Sequence, residues 1–307
     1  MTLSPGSNSH PNKPAPPFPK SEWPTWLIIF ITYGGWWFTL SIASSIPAFI
    51  LVAMLMVLLT LHSSMNHEAI HGHPTRTSWL NDAIAYPPLA LVYPYRLFKV
   101  SHLQHHHDPD ITYPGVDPES FFVSAEKWQQ SRSLTKFFAK VNMTLAGRLI
   151  LFPAYAVFTL AREALIAILR WKKDASMWIV HIALVSGILS LVTQYFDVTL
   201  WHYLLASYLS QSMILLRSFF EHQPAENIPE RIVLQEAGWF FRLLFLNNNY
   251  HLVHHTHPGL PWFAIPGEYR RHLDYYRKQN NGFRFNGYKD WLKYLFKPIH
   301  SPTHPWK

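Results

Sequence analysis

The feature that most constrains this chain is an uncharged stretch, residues 23–66, of forty-four residues. As an α-helix rising 1.5 Å per residue it would extend about 66 Å, more than twice the ~30 Å hydrocarbon core of a bilayer. A soluble core would interrupt its apolar segments sooner. The stretch therefore predicts a membrane hairpin, with spans over 25–40 and 46–62 and a turn near 41–47.

A second hairpin follows from two further uncharged stretches, 175–196 and 198–216, which Asp197 separates. Two shorter apolar segments are harder to place. Residues 83–95 contain three prolines, and residues 149–161 end at the charged pair Arg162 and Glu163. Neither is long enough to cross a bilayer, so we expect both to be interfacial or re-entrant. The predicted fold is an all-α integral membrane protein with four transmembrane helices in two hairpins.

The distribution of cations gives the orientation. Twelve Lys and Arg residues lie in 67–174, eleven follow Arg217, and neither hairpin turn contains one. The positive-inside rule then places both termini and the central segment in the cytoplasm. The net charge of +8 is explained by this topology and by anionic membrane lipids, so we expect no nucleic-acid partner.

The two ends of the chain differ from its middle. Residues 1–24 contain seven prolines and almost no aliphatic side chains, which predicts a disordered cytoplasmic tail and not a signal peptide. Residues 25–307 are expected to form one domain. Near its end, residues 290–299 (DWLKYLFKPI) mix aromatic side chains with lysine, as in a helix that lies in the membrane interface or in one that packs on the protein surface.

Histidine is the main candidate for a reactive or metal-binding side chain, because the chain has nineteen histidines and no cysteine. The lack of cysteine excludes disulfide scaffolds, thiolate zinc sites, iron–sulfur clusters and cysteine nucleophiles. Three motifs stand out: HEAIHGH from His67, HLQHHH from His102 and HLVHHTH from His251. Their i, i+4 and i, i+3, i+4 spacings put imidazoles on one helical face, as a site for a divalent transition metal requires.

Eight such histidines exceed what one ion takes from protein, so two adjacent metals are expected. His222, at the end of the last span, is a candidate ninth ligand. An even number of predicted crossings separates the three motifs, which therefore face the same side. We expect them to meet in a helical cap on the cytoplasmic side.

In order and context, HEAIHGH, HLQHHH and NYHLVHHTHPGLPW resemble the motifs of the membrane fatty acid desaturase superfamily, over roughly residues 60–270. The nearest resemblance is to its compact bacterial-type members. It implies a non-haem di-iron centre that uses O2, a lipid acyl chain as substrate and, without a fused haem domain, a separate ferredoxin-type electron donor. The ligands that it implies are His67, His71, His102, His105, His106, His251, His254 and His255, with His222 as the extra one.

Several alternatives stay open at this point. His73, His107 and His257 follow the motifs closely, so the second motif could bind in a shifted register. The superfamily also contains hydroxylases and ketolases of alkanes and carotenoids, and the motifs alone do not separate them from desaturases. The chain length, head group and double-bond position are equally undetermined.

Two rivals come from other classes. Residues 67–71 satisfy the HExxH pattern of zinc metalloproteases, in which Glu68 would be the general base, although it can equally orient a ligand imidazole. A metal transporter would bury carboxylates within its spans, and these spans contain none. Trp36, Trp37, Trp262 and Phe263 are candidates for a substrate tunnel or for interfacial anchors.

Overall fold

The computed structural model describes residues 19–307, and most of the predicted proline-rich tail lies outside them. The described part is mainly helical, with two short strands. The first helix, α1 (Trp23–Ser41), begins almost where the tail is predicted to end and has a proline in its first turn. There the missing N–H of proline costs no helical hydrogen bond.

The first predicted hairpin is present. A short 3₁₀ turn, Ala43–Ser45, joins α1 to α2 (Ala48–Ile70), and Pro47 precedes α2. At 23 residues α2 is about 35 Å long and continues beyond the predicted end of the span at residue 62. Its last two turns therefore carry the first histidine motif away from the apolar part of the same helix.

The helices of the second predicted hairpin are also present, joined by a turn but with little contact along their lengths. Helix α9 (Ala175–Ser190) continues through a π-helical turn, Leu191–Tyr195, and α10 (Leu200–Ser218) returns along α2. Asp197 takes a left-handed backbone conformation between them, with φ of 52°. The short side chain of aspartate tolerates this conformation better than most residues do. The charge that separates the two apolar stretches in the sequence therefore marks the turn.

Residues between α3 (Ser78–Ala85) and α4 (Tyr95–His107) fold back into the bundle. The hydroxyls of Tyr203 and Ser207 on α10 donate to the carbonyls of Leu89 and Ala90, at 2.8 and 2.7 Å. Trp36 of α1 in turn donates to the Tyr203 hydroxyl at 3.0 Å. These side chains satisfy backbone groups of an irregular segment that would otherwise be buried without partners. That this segment is interfacial or re-entrant stays a prediction.

By length and composition, three helices in the described residues are able to cross a membrane: Ala48–Ile70, Phe152–Leu169 and Ala175–Tyr195. Helices α1 and α10 have 19 residues each and are not among these three, although α1 contains no charged residue. Trp, Tyr, Gly and Thr dilute the apolar side chains of α1, whereas α10 turns its serines and tyrosines toward neighbouring segments. The four-span topology remains a prediction.

The expectation that 149–161 forms a short segment is wrong in one respect. Helix α8 runs from Phe152 through Arg162 and Glu163 to Leu169, and is long and apolar enough for a span. It begins beside the middle of α10, where the hydroxyls of Tyr208 and Ser212 donate to the carbonyls of Ile150 and Leu149. Because α8 starts halfway along α10, it does not run beside the whole length of α10. This arrangement favours a partial insertion of α8 into the membrane.

The remaining elements surround the histidine motifs. They are α5 (Ala125–Gln130), α6 (Ser133–Asn142), α7 (Leu145–Ile150), a 3₁₀ turn (Ile228–Arg231), β1 (Leu234–Gln235), α11 (Trp239–Leu244), α12 (His251–Thr256), α13 (Ile265–Arg271), α14 (Leu273–Asn280), β2 (Arg284–Phe285) and a 3₁₀ helix (Tyr288–Tyr294). Strand β1 pairs in parallel with β2, so the C-terminal segment is fastened beside the third motif.

The C-terminal segment predicted to lie in the interface is partly a packed element. Trp291 is buried against Phe219 and Phe220, just beyond the end of α10. Leu292 and Phe296 are exposed on the other side. Residues 290–299 thus contribute one aromatic anchor to the core and leave apolar side chains at the surface.

Candidate metal centre

All nine histidines singled out from the sequence converge, and they do so as two groups. In each group the candidate ligand atoms lie within 4.8 Å of one another. The first group has five members: His67, His71, His102, His106 and His254. The second has four: His105, His222, His251 and His255.

The paired histidines in the second and third motifs explain why two groups form. Neighbouring residues on an α-helix point about 100° apart, so they cannot serve one ion equally. On α4, His106 joins the first group and His105 the second, whereas on α12 His254 joins the first and His255 the second. Each pair therefore contributes one imidazole to each group.

The i, i+4 pairs supply the rest of each group. The first group takes such pairs from α2 and α4, His67 with His71 and His102 with His106. The second takes His251 with His255 from α12, and His222 from the segment after α10. Residues four apart lie on one face of a helix, so a single helix can present both nitrogens to one ion.

Distances between the imidazole nitrogens show how compact each group is. In the first group, the Nε2 atom of His102 lies 3.0 Å from the Nε2 atoms of His71 and His106. The Nε2 atoms of His106 and His254 are also 3.0 Å apart. In the second, His251 lies 3.1 Å from His222 and from His255. Two nitrogens at ~2.1 Å from an ion are about 3.0 Å apart at right angles and about 3.4 Å apart in a tetrahedron. The nitrogens are thus about as close together as those of residues that share one ion.

Hydrogen bonds on the far side of three rings fix the tautomer. The Nδ1–H groups of His102 and His105 donate to Glu119 at 3.0 Å and to Asp117 at 2.8 Å. That of His251 donates to the Asn248 side chain at 3.1 Å. The proton is then held on Nδ1, and the lone pair on Nε2 points into the group. Partners of this kind are typical around metal-binding histidines.

Asp117 is the most firmly held of these partners. It is buried, and the backbone amides of Thr112 and Glu119 donate to its two oxygens at 2.8 and 2.9 Å. Burial alone would raise the pKa of Asp117, but His105 and the hydrogen bond from the Thr112 amide lower it. Asp117 is therefore a carboxylate, and it raises the pKa of His105 although burial opposes this.

Glu119 behaves in the same way. Burial would raise the pKa of Glu119, but His102 and His105 lower it to about 2. For most of the other imidazoles, by contrast, the effect of burial on the pKa prevails. Burial, with neighbouring imidazoles, lowers the pKa of His222 to about 3 and holds the pKa values of His254 and His255 well below the ordinary range. These rings are neutral at physiological pH, which is the form that binds metals.

The residues present fit two divalent metal ions. The Nε2 atoms of His67 and His105 are buried and have no hydrogen-bond partner within the described residues. Each belongs to one of the two groups. Close lone pairs on neutral rings repel each other, and buried polar atoms without partners are costly. A cation in each group would remove the repulsion between the lone pairs and give the unpartnered nitrogens a ligand bond. Imidazole is a preferred ligand of divalent iron, zinc, copper and nickel.

The three surplus histidines lie outside both groups. His107 is exposed and bonds to the carbonyl of Leu103 at 2.6 Å. His73 bonds to Glu22 at 2.9 Å, and His257 is buried beside Glu268. The structure therefore places the second motif in the register of 102, 105 and 106.

Glu68 accepts a hydrogen bond from the Trp262 backbone amide at 3.0 Å, and its carboxylate lies 3.9 Å from Nδ1 of His67. It joins α2 to the segment after the third motif. Sequence reasoning singled out Glu68 but missed Asp117, Glu119 and Asn248 as partners of the histidines. The sequence signal was present, because Asp117-Pro118-Glu119 follows the second motif closely and Asn248 is three residues before His251.

A family model described as fatty acid desaturase matches residues 44–287, which includes all three motifs and His222. This chain belongs to the fatty acid desaturase family. The resemblance inferred from the motifs is thereby confirmed. Desaturases of this family are membrane-bound oxidoreductases that generally use a di-iron centre, a lipid acyl substrate and an electron donor. No curated protein matches the chain.

This desaturase-family chain has a cavity of ≈ 390 Å³ beside the histidines. It lies between α2, α8, α10 and the segment that joins α3 to α4, and Glu119 and Glu221 are in its wall. Trp36, Trp37, Trp262 and Phe263, the candidates for tunnel residues, are not in its wall. Trp36 is buried against α10 and Trp37 is half exposed, at 47%.

Proposed function

We propose that this protein is a di-iron desaturase that uses O2 to introduce a double bond into a lipid acyl chain. The observation that carries the proposal is the partition of nine histidines into two adjacent groups, each able to hold one ion. When bound, two irons supply the activation of O2 needed to oxidise an unactivated methylene, which acid–base side chains cannot do. The nine histidines named above are the proposed ligands.

The reaction balances with an external donor. The acyl chain loses two hydrogen atoms and gains a carbon–carbon double bond. Two electrons from a separate carrier, two protons and one O2 complete the formation of two water molecules. We propose a ferredoxin-type carrier, which the basic cytoplasmic surface would attract if the carrier is acidic.

The protein's own residues orient the site and limit its access. Asp117 and Glu119 fix the rings of His105 and His102, so that their lone pairs are directed before any ion binds. Burial of His67, His102, His105, His251 and His254 keeps water from much of the centre. A dry, pre-formed ligand set restricts the oxidant to the bound lipid. We propose that this centre and both termini are cytoplasmic.

The zinc protease reading is not supported by the arrangement of ligands. One zinc ion needs three protein ligands, whereas the HExxH residues His67 and His71 share their group with three more histidines. A second, separate group of four would have no role. The carboxylate of Glu68 is also engaged by a backbone amide at 3.0 Å.

Metal analysis and product analysis together test the proposal. We expect purified protein to bind about two irons per chain, one for each group. Cells that express it should contain olefinic acyl chains two mass units lighter than their parents, and cells with His105→Ala should not. A product sixteen units heavier, or fourteen for a ketone, would assign the protein to the hydroxylases and ketolases. One zinc with Glu68-dependent proteolysis would contradict the proposal altogether.

A further inference from the structure

The wall of the cavity beside the histidines is not purely apolar. Phe98, Phe121, Leu215 and other apolar side chains form part of it. From α2, however, His62 and Asn66 also line the cavity. They are four residues apart and so lie on one face of the helix, one turn from each other. A cavity that only had to accept a hydrocarbon chain would not need them.

His62 is buried, with 1% of its surface exposed. Neither ring nitrogen makes a complete hydrogen bond within the described residues, although the backbone of Pro87 is near enough to interact with the ring. If that carbonyl accepts from one ring nitrogen, the other is left as an acceptor without a donor. An unmet acceptor inside an apolar bundle is costly, and such residues in membrane proteins generally have a function.

The His62 ring is held in place from behind. Tyr33 of α1 packs edge-on against it, with ring centroids 5.8 Å apart, and the Tyr33 hydroxyl donates to the carbonyl of Ile84. The ring is therefore fixed where it faces the cavity. It is not a mobile side chain that can find a partner elsewhere.

Asn66 provides a second unmet group at the same wall. Its Oδ1 atom is buried and has no hydrogen-bond partner in the described part of the chain. Ser63, which also lines the cavity, differs from both because its hydroxyl donates to the carbonyl of Leu59 at 3.1 Å. Of the three polar residues that α2 contributes to this wall, His62 and Asn66 therefore have unmet atoms, whereas the Ser63 hydroxyl does not.

We propose that the cavity binds a lipid that carries a hydroxyl group, which donates its proton to the open ring nitrogen of His62, with Oδ1 of Asn66 as a second acceptor one turn away. A hydroxyl suits these acceptors because it supplies a hydrogen-bond donor, whereas an alkyl chain does not. This inference rests on the proposed function for the role of the cavity. It makes the substrate class narrower: a long-chain lipid with a hydroxyl on or beside the chain that is oxidised.

The position of the pair gives the hydroxyl a role in selecting the carbon. His62 is five residues before His67 on one helix, which corresponds to about 7.5 Å along the helix axis. A hydroxyl fixed there would hold the chain in a defined register relative to the first group of ligands. His62 and Asn66 would then be positioning residues.

Direct binding tests the proposal without turnover. We would load the protein with iron in lipid nanodiscs, omit any reductant, and measure displacement of a fluorescent long-chain alcohol. The competitors are a long-chain primary alcohol, its methyl ether and the alkane of equal length. We expect the alcohol to bind about tenfold more tightly than the alkane, the factor for one hydrogen bond of about 1.4 kcal/mol.

Matched variants assign that preference to the pair. His62→Leu should abolish the preference for the alcohol, and His62→Gln, which keeps a hydrogen-bonding group, should retain part of it. Ser63→Ala is the control, because this hydroxyl is already satisfied, and it should leave the preference unchanged. Iron content measured on each variant separates a local effect from damage to the centre or the fold.

Three results would overturn the inference. They are equal binding of alcohol and alkane, an unchanged preference in His62→Leu with full iron content, and a preference lost equally in Ser63→Ala. The first would mean that water alone occupies this wall. Loss of acyl-chain oxidation with a retained, His62-dependent alcohol preference would contradict the proposed function but not this binding site.

Discussion

At the scale of single residues, neighbouring histidines differ in role because the helix directs their side chains differently. His105 and His106 serve different groups, and His107, the next residue, serves neither. Its ring bonds to a backbone carbonyl one turn earlier and is exposed. Side-chain type and sequence context are nearly the same at the three positions, so the difference is one of direction alone.

That difference predicts contrasting effects of two adjacent substitutions. His106→Ala should reduce bound iron from about two ions per chain to about one and abolish turnover, because the first group loses a ligand. His107→Ala is the matched control and should keep both irons and its activity. Iron analysis and product analysis of the two purified variants check this. If His107→Ala lost iron while His106→Ala kept it, the second motif would bind in the shifted register.

The carboxylate behind a ligand has a separable effect. Asp117→Asn removes the charge that fixes the Nδ1 proton of His105 and leaves every ligand in place. We expect iron affinity to fall 10- to 100-fold, the usual loss when such a partner is removed. Competition with a graded chelator measures it, with Asp110→Asn, at an exposed site, as the control. Equal iron affinity in the two variants would show that Asp117 has no role in holding the metal.

At the scale of elements, the open point is how many helices cross the membrane. Helices α8, α9 and α10 separate the second motif from the third, and the motifs meet in one place. An odd number of crossings would put them on opposite sides. The three helices therefore cannot all cross, and α8, which starts beside the middle of α10, is the one that we expect not to.

Labelling of single cysteines tests this topology in a chain that has no native thiol. Cysteines at Ser44 and Asp197, in the two hairpin turns, should react with an impermeant reagent from outside. Those at Ser120, Lys172 and Lys278 should react only after the membrane is opened. Lys172 lies between α8 and α9, so external labelling there would mean that α8 crosses. External labelling at Lys278 would contradict a common cytoplasmic site.

At the scale of the whole molecule, the two candidate metal sites join parts of the chain that are far apart in sequence. The first group connects α2, α4 and α12, and the second connects α4, α12 and the segment after α10. An ion that binds only the folded arrangement stabilises it by mass action. The metal centre should therefore be a structural clamp between the membrane hairpins and the cap as well as the site of chemistry.

Metal removal should then lower thermal stability. Each site stabilises the folded state by about 2.7 kcal/mol when free iron is a hundredfold above its dissociation constant. We expect a chelator to lower the Tm, and added ferrous iron to restore it in the wild type but only partly in His105→Ala, which retains the first group. Intrinsic fluorescence of the many tryptophans follows the transition. An unchanged Tm on complete loss of iron would show that the fold holds the two groups together without metal.

Much of the architecture was accessible from local pattern. The uncharged stretches predicted both hairpins and their turns, since a bilayer requires long apolar helices and Asp197 must lie outside the hydrocarbon. The i, i+4 spacings predicted which imidazoles share a face, because helical periodicity is a local property. The expectation that the i+3 histidines, His105 and His254, lie on that same face is wrong, since each joins the other group. Eight of the histidines and the expectation of two metals followed from the same reasoning, whereas His222 followed from its position at the end of the last span and from the resemblance, which also supplied iron.

Other features depend on which parts of the chain meet in space, and only the tertiary structure decided them. The division of five and four histidines between two groups requires knowing how α2, α4 and α12 are turned toward one another. The partners Asp117, Glu119 and Asn248 lie on loops, whose paths no periodicity records. The cavity, with His62 and Asn66 in its wall, exists because the segment before α4 folds back against α10. Periodic patterns determine the elements of this protein, whereas long-range packing determines what their side chains face.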